Sequence, residues 1–236
     1  VTVSEPTTLR TAVLGLGLIG GSLALRLRAV DAHVLGYDLD PRTRALAAAA
    51  GIPVAVDLAS AVATADLVVL AVPLPSVPEV LTELDGYSGL LTDVVSVKTP
   101  MPGLVGDRCP AATFVGGHPM SGAERSGFTA ADTGLLPGHP WVLCLEPDTA
   151  MDAWRRIARW VTATVGAPVV PATAAEHDIA VARISHLPHV VASALAAQAA
   201  ATGTGPLALG LAAGSFRDGT RVAATRPQLV TAMCAG

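Results

Sequence analysis

Aromatic side chains make up only 3% of this 236-residue chain, although hydrophobic residues reach 51%. A substantial core is therefore expected, built from Ala, Val and Leu. Lysine is scarcer still: of fifteen cationic residues only Lys98 is lysine. With a formal net charge of −4 and no basic block, neither nucleic acid nor an anionic membrane surface is indicated as a partner. Cys109, Cys144 and Cys234 are odd in number and far apart. That argues against a disulfide framework, gives no metal-ligand spacing and suggests a reducing compartment. Residues Val1 to Arg10 contain no apolar h-region, so no secretory signal is expected. The Ala-rich run Val190 to Ala201 reads as too short and too weakly apolar to span a bilayer. The expectation is a cytoplasmic protein of one large α/β domain with a smaller appendage.

What is abundant is glycine, and its placement is informative. Thr11 to Leu14 is a short apolar strand that runs into Gly15-Leu16-Gly17-Leu18-Ile19-Gly20. A helix pattern follows, with Leu23, Leu27 and Val30 spaced for one face. Strand His33 to Tyr37 then ends in Asp38, eighteen residues after Gly20. This strand–glycine–helix–strand–acid order is the dinucleotide-binding fingerprint. Gly15 permits the tight turn, Gly17 the approach of a pyrophosphate, and Gly20 close helix–strand packing. The pyrophosphate would face the positive end of the helix dipole. Asp38 would accept hydrogen bonds from ribose hydroxyls and repel a 2′-phosphate, which favours NAD over NADP. Arg42 and Arg44 weigh on the other side.

Alternation continues along the chain. Asp40-Pro41 caps a helix that Gly51 closes. Val54 to Val56 reads as a short strand and Asp66 to Val72 as a fully buried one, stopped by Pro73 and Pro75. Helix Ser76 to Leu84 and strands Leu90 to Val95 and Thr113 to Val115 follow. Right-handed βαβ units in a Rossmann-type doubly wound sheet are predicted, with ligands bound beyond the carboxyl ends of the strands. Trp141 to Leu145 and Val169-Val170 read as further strands. Between them Met151, Trp154, Ile157, Val161 and Val165 mark a helix face closed by Gly166. At Thr173 a capping box with Glu176 opens a helical stretch. The expected domains are residues 1–172, the dinucleotide-binding α/β domain, and 173–236, a smaller all-helical C-terminal domain. Pro188 is expected to kink the long helix.

Two polar residues fall at strand ends. Ser96 follows the strand ending at Val95. His118, in Gly116-Gly117-His118-Pro119, precedes a proline and is expected extended, in a loop just past Thr113 to Val115. An alcohol losing hydride must also lose a proton, and a neutral imidazole suits that proton at physiological pH. In the helical part, Ser185 and His189 share a face, with His186 one position around. The spacing of His177, His186 and His189 fits no metal motif. Arg221 carries a guanidinium fork suited to a carboxylate.

Taken together, GLGLIGGS at 15–22, GYDLD at 36–40, DVVSVK at 93–98, GGHPMSGAE at 116–124, EHD and SHLPH within 176–189, and FRDGTR at 216–221 resemble the prephenate dehydrogenase family. That family includes arogenate and cyclohexadienyl dehydrogenases. The resemblance covers nearly the whole chain and implies NAD-dependent oxidative decarboxylation of a cyclohexadiene carboxylate. Hydride leaves ring C4, carbon dioxide departs, and the ring becomes aromatic without a metal. It implies His118 as the base at the C4 hydroxyl with Ser96 beside it. Arg221, His189, Ser185, His186 and Glu124 would lie on the substrate side, and Asp218 would brace the pocket. The expected cofactor contacts are Gly15, Gly17, Leu18, Ile19, Gly20, Asp38, Val72 and Pro73, and a homodimer is expected.

This chain departs from the family pattern at Val95, where a glycine is usual, at Ala123, and at Leu229-Val230, and it ends earlier than most members. Arogenate or 4-amino-4-deoxyprephenate would be alternative substrates. A β-hydroxyacid dehydrogenase would want a lysine in the helical domain, and none follows Lys98. A non-catalytic NAD-binding module is the reading from a different class.

Overall fold

In the computed structural model the described residues are 9–123, 125–201, 203–225, 227, 230, 231 and 234. Two expectations, the role of Glu124 and the substitution at Leu229, lie outside them. The chain divides into two compact units, Val1–His177 and Asp178–Gly236.

The first unit is built on strands β1 (Thr11–Leu14), β2 (Val34–Tyr37), β3 (Leu67–Leu70), β4 (Leu90–Asp93) and β5 (Thr113–Val115). They form one parallel sheet in the order β2-β1-β3-β4-β5. The run DLVVLAV makes such a strand because both faces are covered. Alternate side chains go to opposite cores: Val13 and Val69 to one, Ala12, Leu14, Val68 and Leu70 to the other. The first core is closed by Leu23 and Leu27 of α1 (Leu18–Ala29) and Ala47 of α2 (Pro41–Ala49). The second is closed by α3 (Leu58–Val62), α4 (Val77–Glu83) and α5 (Met101–Arg108). Each fully buried leucine contributes about 1.5–3 kcal/mol relative to exposure, so the sheet needs few aromatic rings.

After β5 the chain builds a second, three-stranded sheet. It consists of β6 (Gly117–Pro119), β7 (Trp141–Cys144) and β8 (Val169–Ala172), in that order, with α6 (Met151–Trp160) between β7 and β8. Trp141 and Trp160 meet edge to face at 6.0 Å in the first core. Beyond α6 a wide turn spans Val161–Val165 and ends at Gly166 in the left-handed region.

Several expectations need correction. Val54 to Val56 is no strand; Val54 makes a single parallel bridge to Gly36 and Val56 is exposed. The pairing consists of Gly36 N–H to Pro53 O and Ala55 N–H to Gly36 O, both at 2.9 Å, and does not continue into a ladder. Val30 and Met151 leave the apolar faces assigned to them, and each lies exposed at a helix end. The buried face of α6 is Ala153, Ile157 and Trp160.

The division at His177 puts the first turn of α7 (Ala174–Val181) with the first unit. The second unit continues with α8 (Leu187–Ala199), α9 (Gly205–Gly210) and α10 (Gly214–Thr220). Between α7 and α8, Ala182–His186 forms a π turn in which Leu187 N–H bonds Ala182 O. Pro188 lacks an N–H and its ring crowds the carbonyl four residues back, and the wider turn accommodates both. Residues Ala174–Ala199 make 26 helical residues, long and apolar enough by length and composition to cross a membrane.

The entrances to β1 and β3 are joined by Arg10 and Asp66. Arg10 donates through Nε and its main-chain N–H to Oδ2 at 3.0 Å, and through Nη2 to Oδ1 at 2.8 Å. The side-chain bond from Arg10 chiefly holds the Asp66 carboxyl down at about 2. Because the folded value lies below the unfolded one, this contribution is complete above the ordinary carboxylate range and is lost as pH falls through about 2. The expected outcome is that Arg10→Ala lowers the melting temperature at neutral pH. The difference from the native chain should shrink as pH falls and vanish only below about 2, as thermal unfolding across pH would show.

Candidate active site

The strand order turns at β1, with β2 on one side and β3 on the other, so the loops leaving β1 and β3 flank a crevice at the carboxyl edge. Gly15 has φ +96°, and a Cβ there would lie 2.6 Å from the Ala71 carbonyl oxygen. Gly20 likewise has no room, with Ala71 Cβ 2.8 Å from its would-be Cβ. Gly17 is different: nothing lies within 4 Å of a Cβ there. It caps α1 without a side-chain bond, and the first turn holds no acidic residue. The N–H groups and positive dipole end are thereby open to an anion. Leu18 and Ile19 form that first turn, half-buried; Val72 packs beside Gly15, and Pro73 opens the tight turn Leu74–Ser76.

Asp38 sits at the exit of β2. Its Oδ2 accepts from Leu16 N–H at 2.7 Å and its Oδ1 from Asp40 N–H at 2.9 Å. Arg44, weighed above as a 2′-phosphate ligand, is turned to other partners. It donates to the carbonyls of Asp38 (2.5 Å) and Leu39 (3.2 Å) and lies 5.5 Å from the centroid of the Tyr37 ring. A glycine cradle, an uncapped helix start and this carboxylate fit a dinucleotide diphosphate and a ribose.

Two strands farther along, Asp93 closes β4 and is fully buried. Its Oδ1 accepts from Gly117 N–H at 3.0 Å, and its Oδ2 accepts from Val95 N–H at 3.0 Å and from the Lys98 ammonium. Lys98 also donates to the Gly117 carbonyl at 2.8 Å. The one lysine in the chain is thus an interior residue. Ser96, half-buried, lies between these two anchors of the β4 exit.

His118 is extended, as expected, but it is not in a loop. It is the middle residue of β6 and pairs in register with Val142 of β7. Its Nδ1 lies 2.8 Å from Nε2 of His177, and the rings meet at 5.0 Å between centroids, inclined by 74°. His177 is 3% exposed and stands on the first turn of α7. The start of that helix is fixed by two carboxylates. Glu176 accepts from Thr173 N–H at 3.0 Å and Glu146 from Ala174 N–H at 2.7 Å. His177 was missed as a site residue. The signal lay in His177 directly following Glu176, the last residue of the capping box, which puts the imidazole at a helix start.

In the second unit His189 Nδ1–H donates to the Ser185 carbonyl at 2.8 Å. Ser185, His186 and His189 are half-buried, while Arg221 begins the turn Arg221–Ala224, which packs against α8. Asp218 is exposed on α10. Among the described residues no cluster of three His, Cys, Asp or Glu could hold a metal ion.

A family model described as the nucleotide-binding domain of prephenate dehydrogenase matches residues 22–170, and one described as its dimerization domain matches residues 173–235. A prephenate dehydrogenase of Lactococcus lactis is 33% identical over 220 residues, which are 89% of this chain and 60% of that protein. A cyclohexadienyl dehydrogenase of Zymomonas mobilis is 35% identical over 228 residues, 92% of this chain and 77% of that one. The crystal structure of prephenate dehydrogenase from A. aeolicus with hydroxyphenyl propionate and NAD+ superposes with a TM-score of 0.83 at 28% identity. It covers 95% of this chain and 81% of that chain. The chain therefore spans only 60% of the length of the Lactococcus relative.

Gly117 likewise has no room for a side chain. A Cβ there would lie 2.7 Å from the Asp93 carbonyl oxygen and 2.9 Å from Trp141 Nε1. Gly117→Ala is expected to cost about 1–3 kcal/mol through overpacking, read as a fall in the urea midpoint with an unchanged slope.

Proposed function

Because the chain belongs to the prephenate dehydrogenase family, we propose that it is an NAD-dependent dehydrogenase converting prephenate to 4-hydroxyphenylpyruvate with loss of carbon dioxide, a step of tyrosine biosynthesis. The observation that carries the reading is the imidazole of His118, held through Nδ1 by His177 on the same sheet edge as the glycine loop. When bound, the nicotinamide supplies the hydride acceptor.

The hydrogen bond at 2.8 Å supports Nε2 as the working nitrogen. For His118 to take a proton at Nε2, its Nδ1 must carry hydrogen and donate to Nε2 of His177, which then bears its own proton on Nδ1. Once Nε2 takes the C4 hydroxyl proton, Nδ1–H becomes a charge-assisted donor to the same partner. His177 is therefore a positioning residue that fixes the tautomer and favours the imidazolium. Ser96 is assigned to orient the C4 hydroxyl. Arg221 is assigned to a substrate carboxylate, and Ser185, His189 and His186 to further substrate contacts; Glu124 carries the same assignment. Asp38 supports NAD over NADP, with Gly15, Gly17, Leu18, Ile19, Gly20, Val72 and Pro73 around the remainder of the cofactor. Aromatisation drives the loss of carbon dioxide.

The apolar side chains Ile184, Leu187, Val191 and Leu195, exposed in the second unit, support a homodimer, as does the dimerization-domain match. The buried side chains of Cys109 and Cys144 suit a cytoplasmic enzyme. The proposed domains are 1–172 and 173–236.

The test is to follow reduction of NAD and NADP with prephenate, arogenate and 4-amino-4-deoxyprephenate. Prephenate with NAD is expected to give the highest kcat/KM; preference for either of the others moves the substrate to that compound. No turnover of any by folded, NAD-binding protein would overturn the enzyme reading in favour of a binding module. His118→Asn should lower kcat by about 10²–10⁴ with a smaller change in KM, whereas Arg221→Ala should chiefly raise KM. Near-normal kcat in His118→Asn would remove it as the base.

A further inference from the structure

Lys98 and Asp93 lie outside the roles assigned so far, yet both side chains are fully buried and paired with each other. A buried ion pair is costly to form and gives weak stability for its desolvation, so its partners decide what it does. Asp93 Oδ1 takes the N–H of Gly117 and Lys98 takes the C=O of the same residue. Gly117 has no side chain by which to be held, and there is no space for one. Its C=O belongs to the peptide leading directly into His118. Asp93 Oδ2 meanwhile takes the N–H of Val95, the residue before Ser96. One charged pair thus grips the main chain immediately ahead of both Ser96 and His118.

We infer that Lys98 and Asp93 are positioning residues that set the His118 peptide, and with it the imidazole, in the orientation that meets His177. This rests on the reading of His118 as the base. Both side chains are fully buried. Lys98 acts through the Gly117 carbonyl, and Asp93 through the Gly117 and Val95 amides. A neutral side chain at 98 leaves that carbonyl without its ammonium donor, and only the Asp93 bond and the pairing with β7 then restrain the peptide against rotation. Rotation there moves the His118 ring relative to Nε2 of His177.

The test compares the native chain with Asp93→Asn/Lys98→Met, in which both buried charges go together and the cost of an unpaired one is avoided. Imidazole nitrogen NMR of His118 and His177, with NAD bound and no substrate, reads the hydrogen bond directly. The bond is expected in the native chain and lost in the folded double variant. In turnover, kcat should fall about a hundredfold, the scale of a misplacement near 1 Å, with KM and NAD affinity within about threefold. If the double variant does not fold, Lys98→Met alone carries the test, since Asp93 keeps its two main-chain donors. An intact imidazole bond and unchanged kcat in a folded variant would overturn the inference. So would a rise in KM at constant kcat, which makes Lys98 a substrate ligand, or loss of folding in both variants, which makes the pair a stability element only. If the native chain turns nothing over, the dehydrogenase reading fails, while the NMR comparison still decides the placement of His118.

Discussion

At the carboxyl edge of a parallel sheet the ladder ends, and each main-chain N–H beyond it needs another acceptor. Leaving one buried and unpaired costs about 1–3 kcal/mol. Two aspartates meet this need. Asp38, closing β2, accepts from Leu16 at the exit of β1. Asp93, closing β4, accepts from Gly117 where the chain passes from β5 into β6. Each carboxylate ties the exit of its own strand to the exit of another, and the two ties lie on opposite sides of β3. The glycine loop hangs from the first tie and His118 from the second. The crevice keeps its shape because its two walls are held by charge-assisted bonds to backbone.

That arrangement explains why the first part of the fold was legible and the second less so. From β1 to Asp38 every signal is local: an apolar strand, glycines where φ turns positive or a neighbour crowds in, a helix face, and an acid at the next strand end. Around His118 the local signals mislead. Two glycines and a proline read as a loop, yet the segment is a strand because Trp141 to Cys144 supplies its partner. Pro119 is tolerated there at the last position of β6, an edge strand of its sheet. Val54 to Val56 failed for the converse reason, since its pairing with β2 stops at the single bridge to Gly36. Pairing between distant segments is the information a one-dimensional pattern does not carry.

The same limit applies to charge. Lys98 could have faced solvent on sequence grounds, because nothing near it in the chain announces burial. It is interior because Asp93, five residues earlier, points to the same place, and because the Gly117 carbonyl arrives from another strand. Pro188 is a contrasting case. Its lack of an N–H is a local fact, so a disturbance of the helix was foreseeable, and the form it takes is the π turn at Ala182–His186.

His177 brings these strands of argument together. Its position is set by the small sheet as well as by its own helix. β8 lies beside β7, with Ala172 opposite Cys144, and β7 lies beside β6, with Val142 opposite His118. Glu146, just past β7, then fixes the first amide of α7. From His118 the path to His177 therefore runs through two strand registers and one capped helix start, all within the first unit. A slip of one residue in either register would turn the side chains to the opposite face and break the imidazole pair. The second sheet is thus the part of the fold that brings the His118 ring to His177. The large parallel sheet, which resembles so many others, contributes the crevice and the ties at its edge.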